Sequence, residues 1–126
     1  MFNLSPQVRV FVYSKPVDMR RSFNGLSALV QGELQQDPYL CGHLFLFKSR
    51  RGNFIKVLWW DMDGFAIFAK KLELGTFNFP SVRFVDGAYQ PIELERSELM
   101  LLLEGIDVQS LRRRKRYRRS VLTQSA

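Results

Sequence analysis

The chain has 126 residues, of which 46% are hydrophobic and 13% aromatic, and its formal net charge is +7. This length suits a single domain, and the apolar content excludes global disorder. The longest apolar runs fall far below the roughly 20 residues of a membrane span, and the N-terminal residues lack the pattern of a secretion signal. We therefore expect a cytoplasmic protein without a membrane partner.

The first predicted element is a β-strand over residues 8–13, where β-branched residues alternate with larger side chains. Pro16 ends this strand, and Asp18 is placed to cap the N-terminus of a long helix. Apolar residues then recur at spacings of three and four, which predicts one buried stripe formed by Met19, Phe23, Leu26, Val30 and Leu34.

Three antiparallel strands are predicted over residues 43–48, 54–60 and 65–71, because short turn-forming links separate three β-prone runs. A weaker hairpin is predicted from residues 82–85 and 89–94, and a last short helix over residues 98–104, capped by Ser97 and closed by Gly105. The predicted fold class is α+β, with an antiparallel β-meander, one long helix packed on it and a short C-terminal helix. This single domain spans residues 1–110, and residues 111–126 form a basic, flexible C-terminal arm.

Alternation along residues 54–60 separates an aliphatic face from a face that mixes aromatic rings with cations. The aliphatic face contains Ile55, Val57 and Trp59, and the mixed face contains Phe54, Lys56, Leu58 and Trp60. Bases stack on aromatic rings while cations meet phosphates, so the mixed face is a candidate platform for nucleic acid. The alternative is that the C-terminal helix covers this face and the cations reach past its edge.

Two groups of cations are candidates for phosphate contacts. Within the domain they are Arg20, Arg21, Lys48, Arg50, Arg51 and Lys56, of which Arg50 and Arg51 occupy a predicted hairpin tip. Within the arm, seven cations fall in nine residues, namely Arg112, Arg113, Arg114, Lys115, Arg116, Arg118 and Arg119. Such a run neutralises phosphate charge without reading a base sequence. DNA is the partner we expect, and the alternatives are a membrane surface, an acidic protein or a merely solubilising role.

The sequence predicts no enzyme activity, no cofactor and no metal site. His43 is the only histidine and has no sequence-local carboxylate or nucleophile, which indicates a structural role. Cys41 is the only cysteine, so neither an internal disulfide nor a cysteine cluster for zinc can form. A divalent-metal nuclease is an alternative that requires Asp18, Asp61 and Asp63 to converge.

Three segments carry a resemblance to a known family: VDMRRSFNGL (residues 17–26), GHLFLFKSRRGNFIKVLWWDMDGFAIFAKKLELGTFNFP (residues 42–80) and LLEGID (residues 102–107). They resemble the TnpB, or Orf2, accessory proteins of bacterial insertion sequences of the IS66 group, which are distinct from the RNA-guided nuclease of the same name. Three positions depart from that pattern: Ser22 stands where glycine is common, and Asn24 and Asn53 stand where aspartate is common. The resemblance implies a cytoplasmic protein that is encoded beside a transposase and needed with it, and it transfers no catalytic residue.

The leading hypothesis is a non-catalytic accessory protein for transposition that binds DNA and helps the transposase assemble on element ends. The second hypothesis is a protein adaptor with little direct DNA contact, which docks on the transposase through Trp60, Leu99 and Leu103. The third hypothesis is the metal-dependent nuclease. The sequence predicts neither the oligomeric state nor whether a DNA sequence is recognised.

Overall fold

The structure, a computed structural model, describes residues 8–39, 42–79, 84–85, 87–89, 92–107 and 112–113. Nine strands and two helices follow one another within these ranges. Their bounds are β1 Val10–Pro16, α1 Phe23–Gly32, β2 Leu44–Lys48, β3 Phe54–Asp61, β4 Gly64–Lys71, β5 Phe84–Val85, β6 Ala88–Tyr89, β7 Ile92–Leu94, α2 Arg96–Glu104, β8 Ile106–Asp107 and β9 Arg112–Arg113. No helix in the described ranges is long and apolar enough to cross a membrane.

Five strands form the main sheet in the order β4-β3-β2-β1-β7. The predicted meander is confirmed, because β2, β3 and β4 pair as antiparallel neighbours, and β7 pairs antiparallel with β1. The prediction of a wholly antiparallel sheet is wrong, since β1 runs parallel to β2 from Val10 opposite Leu44 to Pro16 opposite Lys48. A parallel pair needs a crossover connection, and α1 provides it. The result is an α+β fold with a mixed sheet.

Both helices were predicted, but α1 is shorter than expected. Asp18 does not cap it, because the Asp18 side chain accepts the backbone N–H of Arg20 (2.9 Å) in a turn before the helix begins. The helix α2 begins after Glu95, whose N–H donates to the Glu98 side chain (2.9 Å), so Ser97 is not its cap. Its predicted end is confirmed, since Gly105 adopts the left-handed conformation with φ +81°.

Each face of the main sheet is buried under one helix. Leu99, Leu102 and Leu103 of α2 pack on the aliphatic face, in one core cluster with Ile55 and Val57. Leu26 and Val30 of α1 pack on the mixed face, in a second cluster with Phe11, Tyr13, Phe45, Phe47 and Leu58. The centre of the mixed face is therefore core and cannot serve as a stacking platform for bases, whereas Lys56 and Trp60 toward its two ends are half-buried. The helix that covers it is α1, and not the C-terminal helix considered from the sequence.

The remaining strands form two short hairpins. The weaker hairpin predicted after the meander divides, because β5 pairs with β6 while β7 joins the main sheet. A second hairpin pairs β8 with β9, with Asp107 opposite Arg112. The first cations of the predicted arm thus pair with the chain that follows α2, across the predicted boundary at residue 110. The arm residues after Arg113 lie outside the described ranges.

Candidate nucleic-acid interface

The cations predicted within the domain lie at one end of the strands of the main sheet. The parallel strands β1 and β2 both end there, and the Val17 N–H donates to the Lys48 carbonyl (2.8 Å). The loop after β1 carries Arg20 and Arg21, and the hairpin after β2 carries Arg50 and Arg51. We call this end of the sheet the basic end. It comprises Arg20, Arg21, Lys48, Arg50, Arg51 and Lys56. All six domain cations predicted from the sequence lie on the elements that meet at this end.

The turn between β2 and β3 presents Arg50 and Arg51 at its centre. It is closed by the Ser49 N–H, which donates to the Phe54 carbonyl (2.9 Å), and by the Gly52 N–H, which donates to the Ser49 carbonyl (3.1 Å). Gly52 has φ +76°, a left-handed conformation that favours glycine. Both arginines are exposed, and within the described part of the chain neither forms an ion pair. The turn therefore exposes two guanidinium groups on a hydrogen-bonded support.

Backbone hydrogen bonds from the chain that follows β4 support this turn. The Phe77 N–H donates to the Gly52 carbonyl (2.9 Å), and the Phe77 side chain is buried in the α2-side core. The Leu72 N–H donates to the Asn53 carbonyl (2.7 Å). These bonds anchor both residues on the C-terminal side of the arginine pair, so the position of the pair depends on packing far along the chain.

The lysines of the basic end are held at its two sides. The Lys48 ammonium lies 4.9 Å from the centre of the Phe79 ring, a cation–π contact on the α2 side. The Lys56 ammonium donates to the Arg21 carbonyl (2.9 Å) on the α1 side. An ammonium group has three donors, so this bond leaves Lys56 able to contact an anion as well.

The two arginines of the β1–α1 loop differ in their surroundings. Arg20 is paired with Asp18 (2.7 Å), and hydrogen bonds from the Arg20 side chain and backbone lower the pKa of the Asp18 carboxyl to about 2. The charge of Arg20 is therefore partly neutralised by Asp18. The aliphatic part of Arg21 passes over Gly25, where an added Cβ would lie 3.3 Å from the Arg21 Cβ and Cγ. Gly25 thus leaves room for Arg21 beside α1.

The last turn of α2 contacts the sheet near the basic end. The Lys70 ammonium donates to the Leu103 carbonyl at the end of α2 (2.9 Å), and Lys70 pairs with Ile55 near the start of β3. The strand β8 begins three residues after Leu103, which limits its distance from this contact to roughly 10 Å. Because β9 pairs with β8, the backbone of Arg112 and Arg113 lies beside the chain that directly follows α2.

An aromatic cluster lies at the opposite end of the strands. Tyr39, Trp60 and Phe65 lie with their ring centres 5.0–5.2 Å apart, and Tyr39 is 53% exposed. Asp61, Met62 and Asp63 are exposed in the adjoining turn between β3 and β4. We call Tyr39, Trp60, Phe65, Asp61 and Asp63 the aromatic end. Sequence reasoning found Trp60 but missed Tyr39, because Tyr39 reaches the cluster only through the fold.

The three residues predicted to contact the transposase do not form one surface. Trp60 lies in the aromatic cluster on the side of the sheet covered by α1. Leu99 and Leu103 lie in the core on the α2 side and are 0% and 8% exposed. Their burial assigns both leucines to the packing of α2 against the sheet. Of the predicted partner contacts, Trp60 is the one at a partly exposed position.

The carboxylates of the nuclease hypothesis do not converge. Asp18 follows β1 at the basic end, whereas Asp61 is the last of the eight residues of β3 and Asp63 follows it, both at the aromatic end. This separation is about 25 Å at roughly 3.4 Å per residue, too far for a shared metal ion. Among the described residues, no group of three or more His, Cys, Asp or Glu side chains is placed to hold a metal.

His43 has a structural environment. Its Nδ1 accepts the backbone N–H of Arg9 (3.3 Å), and its ring meets the edge of Phe11. Burial and then the nearby Arg9 charge lower the pKa of His43, so the neutral imidazole is favoured. Arg9 itself is paired with Glu93 (2.6 Å). These contacts join β1, β2 and β7 where β1 begins.

The amino-acid sequence relates the chain to known proteins. Residues 8–113 match the pattern of the IS66 Orf2-like proteins. The chain belongs to this family. It is 39% identical over 114 residues to the uncharacterized protein y4jC of Sinorhizobium fredii, which covers 90% of this chain and 92% of that relative. It is 40% identical over 100 residues to the uncharacterized protein y4hO of the same organism, covering 79% and 82% respectively.

No solved structure matches the chain. Family membership confirms the resemblance and makes this an insertion-sequence-associated protein. The matched range contains the basic end, the aromatic end and the first two arm cations. The other five cations of the arm lie beyond it.

Proposed function

We propose that this IS66 Orf2-like protein is a non-catalytic accessory protein that binds DNA at its basic end and helps the transposase assemble on element ends. The observation that carries the proposal is the exposed Arg50–Arg51 pair on a hydrogen-bonded turn, without a carboxylate partner in the described ranges. Guanidinium groups bind phosphate oxygens in a bidentate manner, so this pair suits the DNA backbone.

The surrounding cations extend the same surface. Arg21 and Lys56 are linked by a hydrogen bond beside α1, and Arg20 can exchange its Asp18 partner for a phosphate. Lys48 flanks the turn on the other side of the sheet. Contacts of this kind position a protein on the duplex but carry no base information. We therefore expect the folded domain to set the orientation of bound DNA.

The arm adds sequence-independent affinity. Each cation that neutralises a phosphate steepens the dependence of log K on log salt by about 0.9. The seven arm cations therefore contribute up to about 6 to that slope if all of them engage. Because α2 ends beside Lys70 and the β8–β9 pair follows it directly, we expect the arm and the turn to contact one continuous stretch of DNA backbone.

The experiment that tests DNA binding compares two charge-matched double variants of the full chain. Arg50→Gln with Arg51→Gln removes the exposed pair, and Arg9→Gln with Arg96→Gln removes two cations where β1 begins and α2 starts. Fluorescence anisotropy is measured over a salt series on element-end and scrambled duplexes. We expect the first variant to lower the salt slope by up to about 2 and the second to leave it unchanged.

Equal losses in the two double variants would mean that only net charge matters, and no loss in either would exclude the basic end as the DNA contact. Preference for the element-end duplex would show that the protein also reads DNA sequence or shape. A further full-chain variant with the seven arm cations replaced by glutamine measures the contribution of the arm separately.

The adaptor function is the second candidate, and the exposed aromatic end favours it. Aromatic residues dominate the binding energy of many protein interfaces. If the transposase docks there, Trp60→Ala should abolish its capture from nuclease-treated lysate, whereas Arg50→Gln with Arg51→Gln should not. The reverse pattern would assign transposase association to DNA bridging.

A further inference from the structure

The strand β4 lies at the edge of the main sheet with one side of its backbone unpaired by any described strand. The Leu72 N–H donates to the Asn53 carbonyl, and inward-facing groups alternate along an antiparallel strand. Residues 64, 66, 68 and 70 therefore bond to β3. The N–H and C=O groups of Phe65, Ile67, Ala69 and Lys71 point away from the sheet.

Within the described ranges, most of this edge lacks the features that usually protect an edge strand against pairing. Its register with β3 is regular over all eight residues, without a bulge, and the strand contains no proline. Residues 64–69 are uncharged, and Ala69 is exposed. Natural edge strands that avoid association are short, bulged, covered or charged along their length. A regular edge strand whose first six residues are uncharged offers a template for another strand.

The charges at the two ends of β4 indicate which strand fits. Asp61 and Asp63 precede the strand, and Lys70 and Lys71 end it. Antiparallel pairing with a second copy brings the lysines of each chain to the acidic turn of the other. Parallel pairing would place like charges together. The edge is therefore complementary to itself in one orientation.

The aromatic end supplies a receptor for the incoming lysine. Lys71 and Phe65 lie on the same face of β4, because side chains two residues apart share a face. In an antiparallel pair centred on residue 68, Lys71 of one copy lies opposite Phe65 of the other. The ammonium then meets the cluster of Phe65, Trp60 and Tyr39, where a cation–π contact stabilises it.

We propose that β4 pairs antiparallel with β4 of a second copy, so that the two five-stranded sheets become one and Lys71 of each copy binds the aromatic end of the other. The outward N–H and C=O groups of the four edge residues are then hydrogen-bonded across the dimer axis. Such a two-fold contact closes on itself and limits assembly to a dimer. This inference does not rest on DNA binding.

A backbone test uses the full chain at position 69. Ala69→Pro removes an N–H that points away from β3, so no intrachain hydrogen bond is lost, and proline is tolerated at such edge positions. Ala69→Thr keeps the N–H and is the matched control. By analytical ultracentrifugation of nuclease-treated protein, we expect wild type and the threonine variant to be dimers and the proline variant a monomer. Circular dichroism of the proline variant, compared with wild type, checks that it is folded.

A charge exchange tests the orientation. Lys71→Glu alone, and Asp61→Lys with Asp63→Lys alone, should each weaken the homodimer more than ten-fold, because like charges meet twice. Mixed together, the two variants should form a heterodimer. In it the glutamate introduced at position 71 of one chain meets the lysines introduced in the other, and the native Lys71 meets the native aspartates. A monomeric wild type, or a dimer indifferent to Ala69→Pro and to the charge exchange, would overturn the proposal.

Discussion

The two ends of strand β3 are closed by turns of opposite chemistry. The turn before it carries Arg50 and Arg51 and is tied down by Phe77 and Leu72 from a distant part of the chain. The turn after it carries Asp61 and Asp63 beside the rings of Tyr39, Trp60 and Phe65. One strand thus separates a surface suited to phosphates from a surface suited to a protein.

The backbone of the two turns differs in the same way. The basic turn places glycine at its left-handed position, Gly52 with φ +76°, whereas the acidic turn places Met62 there with φ +61°. Glycine adopts this conformation without steric cost, and a methionine does not. The basic turn therefore combines a relaxed backbone with external anchors. The two ends therefore differ in the backbone conformation of their turns as well as in charge.

The largest expected effect comes from removing the packing that holds both ends in place. Leu58 lies at the middle of β3 and is fully buried in the cluster under α1. Leu58→Ala should lower the free energy of unfolding by about 2–5 kcal/mol, measured by urea denaturation. Leu74→Ala is the control, since Leu74 is 49% exposed and should change stability by under about 0.5 kcal/mol. Similar losses in the two variants would contradict the assigned core.

Substitutions at the left-handed positions of the two turns should shift the free energy of unfolding in opposite directions. Gly52→Ala places a Cβ in the left-handed region and should cost about 1–2 kcal/mol. Met62→Asn puts a residue that tolerates this region at a strained position and should stabilise by about 0.5–1 kcal/mol. Thermal unfolding of the two variants beside wild type measures both shifts. A loss of stability in both would show that the Met62 turn is held by contacts other than its backbone preference.

The smallest expected effect concerns the charge balance of the basic end. Asp18→Asn releases Arg20 from its partner, so DNA affinity should rise modestly, by less than about ten-fold. Asp61→Asn changes the net charge equally at the aromatic end and should leave affinity nearly unchanged. Anisotropy at fixed salt compares the two variants. An equal rise in both would indicate that DNA responds to total charge and not to position.

The Asp18 pair also has a defined pH range. Its folded pKa of about 2 lies below the ordinary value of 3.8, so the carboxyl binds its proton less readily when folded. The stabilisation is therefore present above pH 3.8 and is lost as the pH falls through about 2. NMR titration of the Asp18 carboxyl should show this low midpoint in the wild type, and Arg20→Gln should move it back toward 3.8.

Local patterns predicted the elements whose signals lie close together in sequence. The meander was correct because the alternation along residues 54–60 and the short links around Gly52 and Gly64 act between neighbouring residues. The end of α2 at Gly105 was correct for the same reason. The start of α1 was wrong, because the Asp18 carboxylate bonds to Arg20 and not to the helix. The three-residue β7 was not separated from β6, since its partner β1 lies some eighty residues earlier.

The sequence by itself determined the α+β class, the meander and the inventory of cations, because charge and periodicity are properties of the chain alone. Only the tertiary structure decided that β1 and β2 run parallel, which brings Arg20 and Arg21 to the same end of the sheet as Arg50 and Arg51. Only packing decided that the mixed face is covered by α1 and that Leu99 and Leu103 are core. The physical reason is that burial depends on which elements cover a surface, and that choice is made by contacts between residues far apart in the chain.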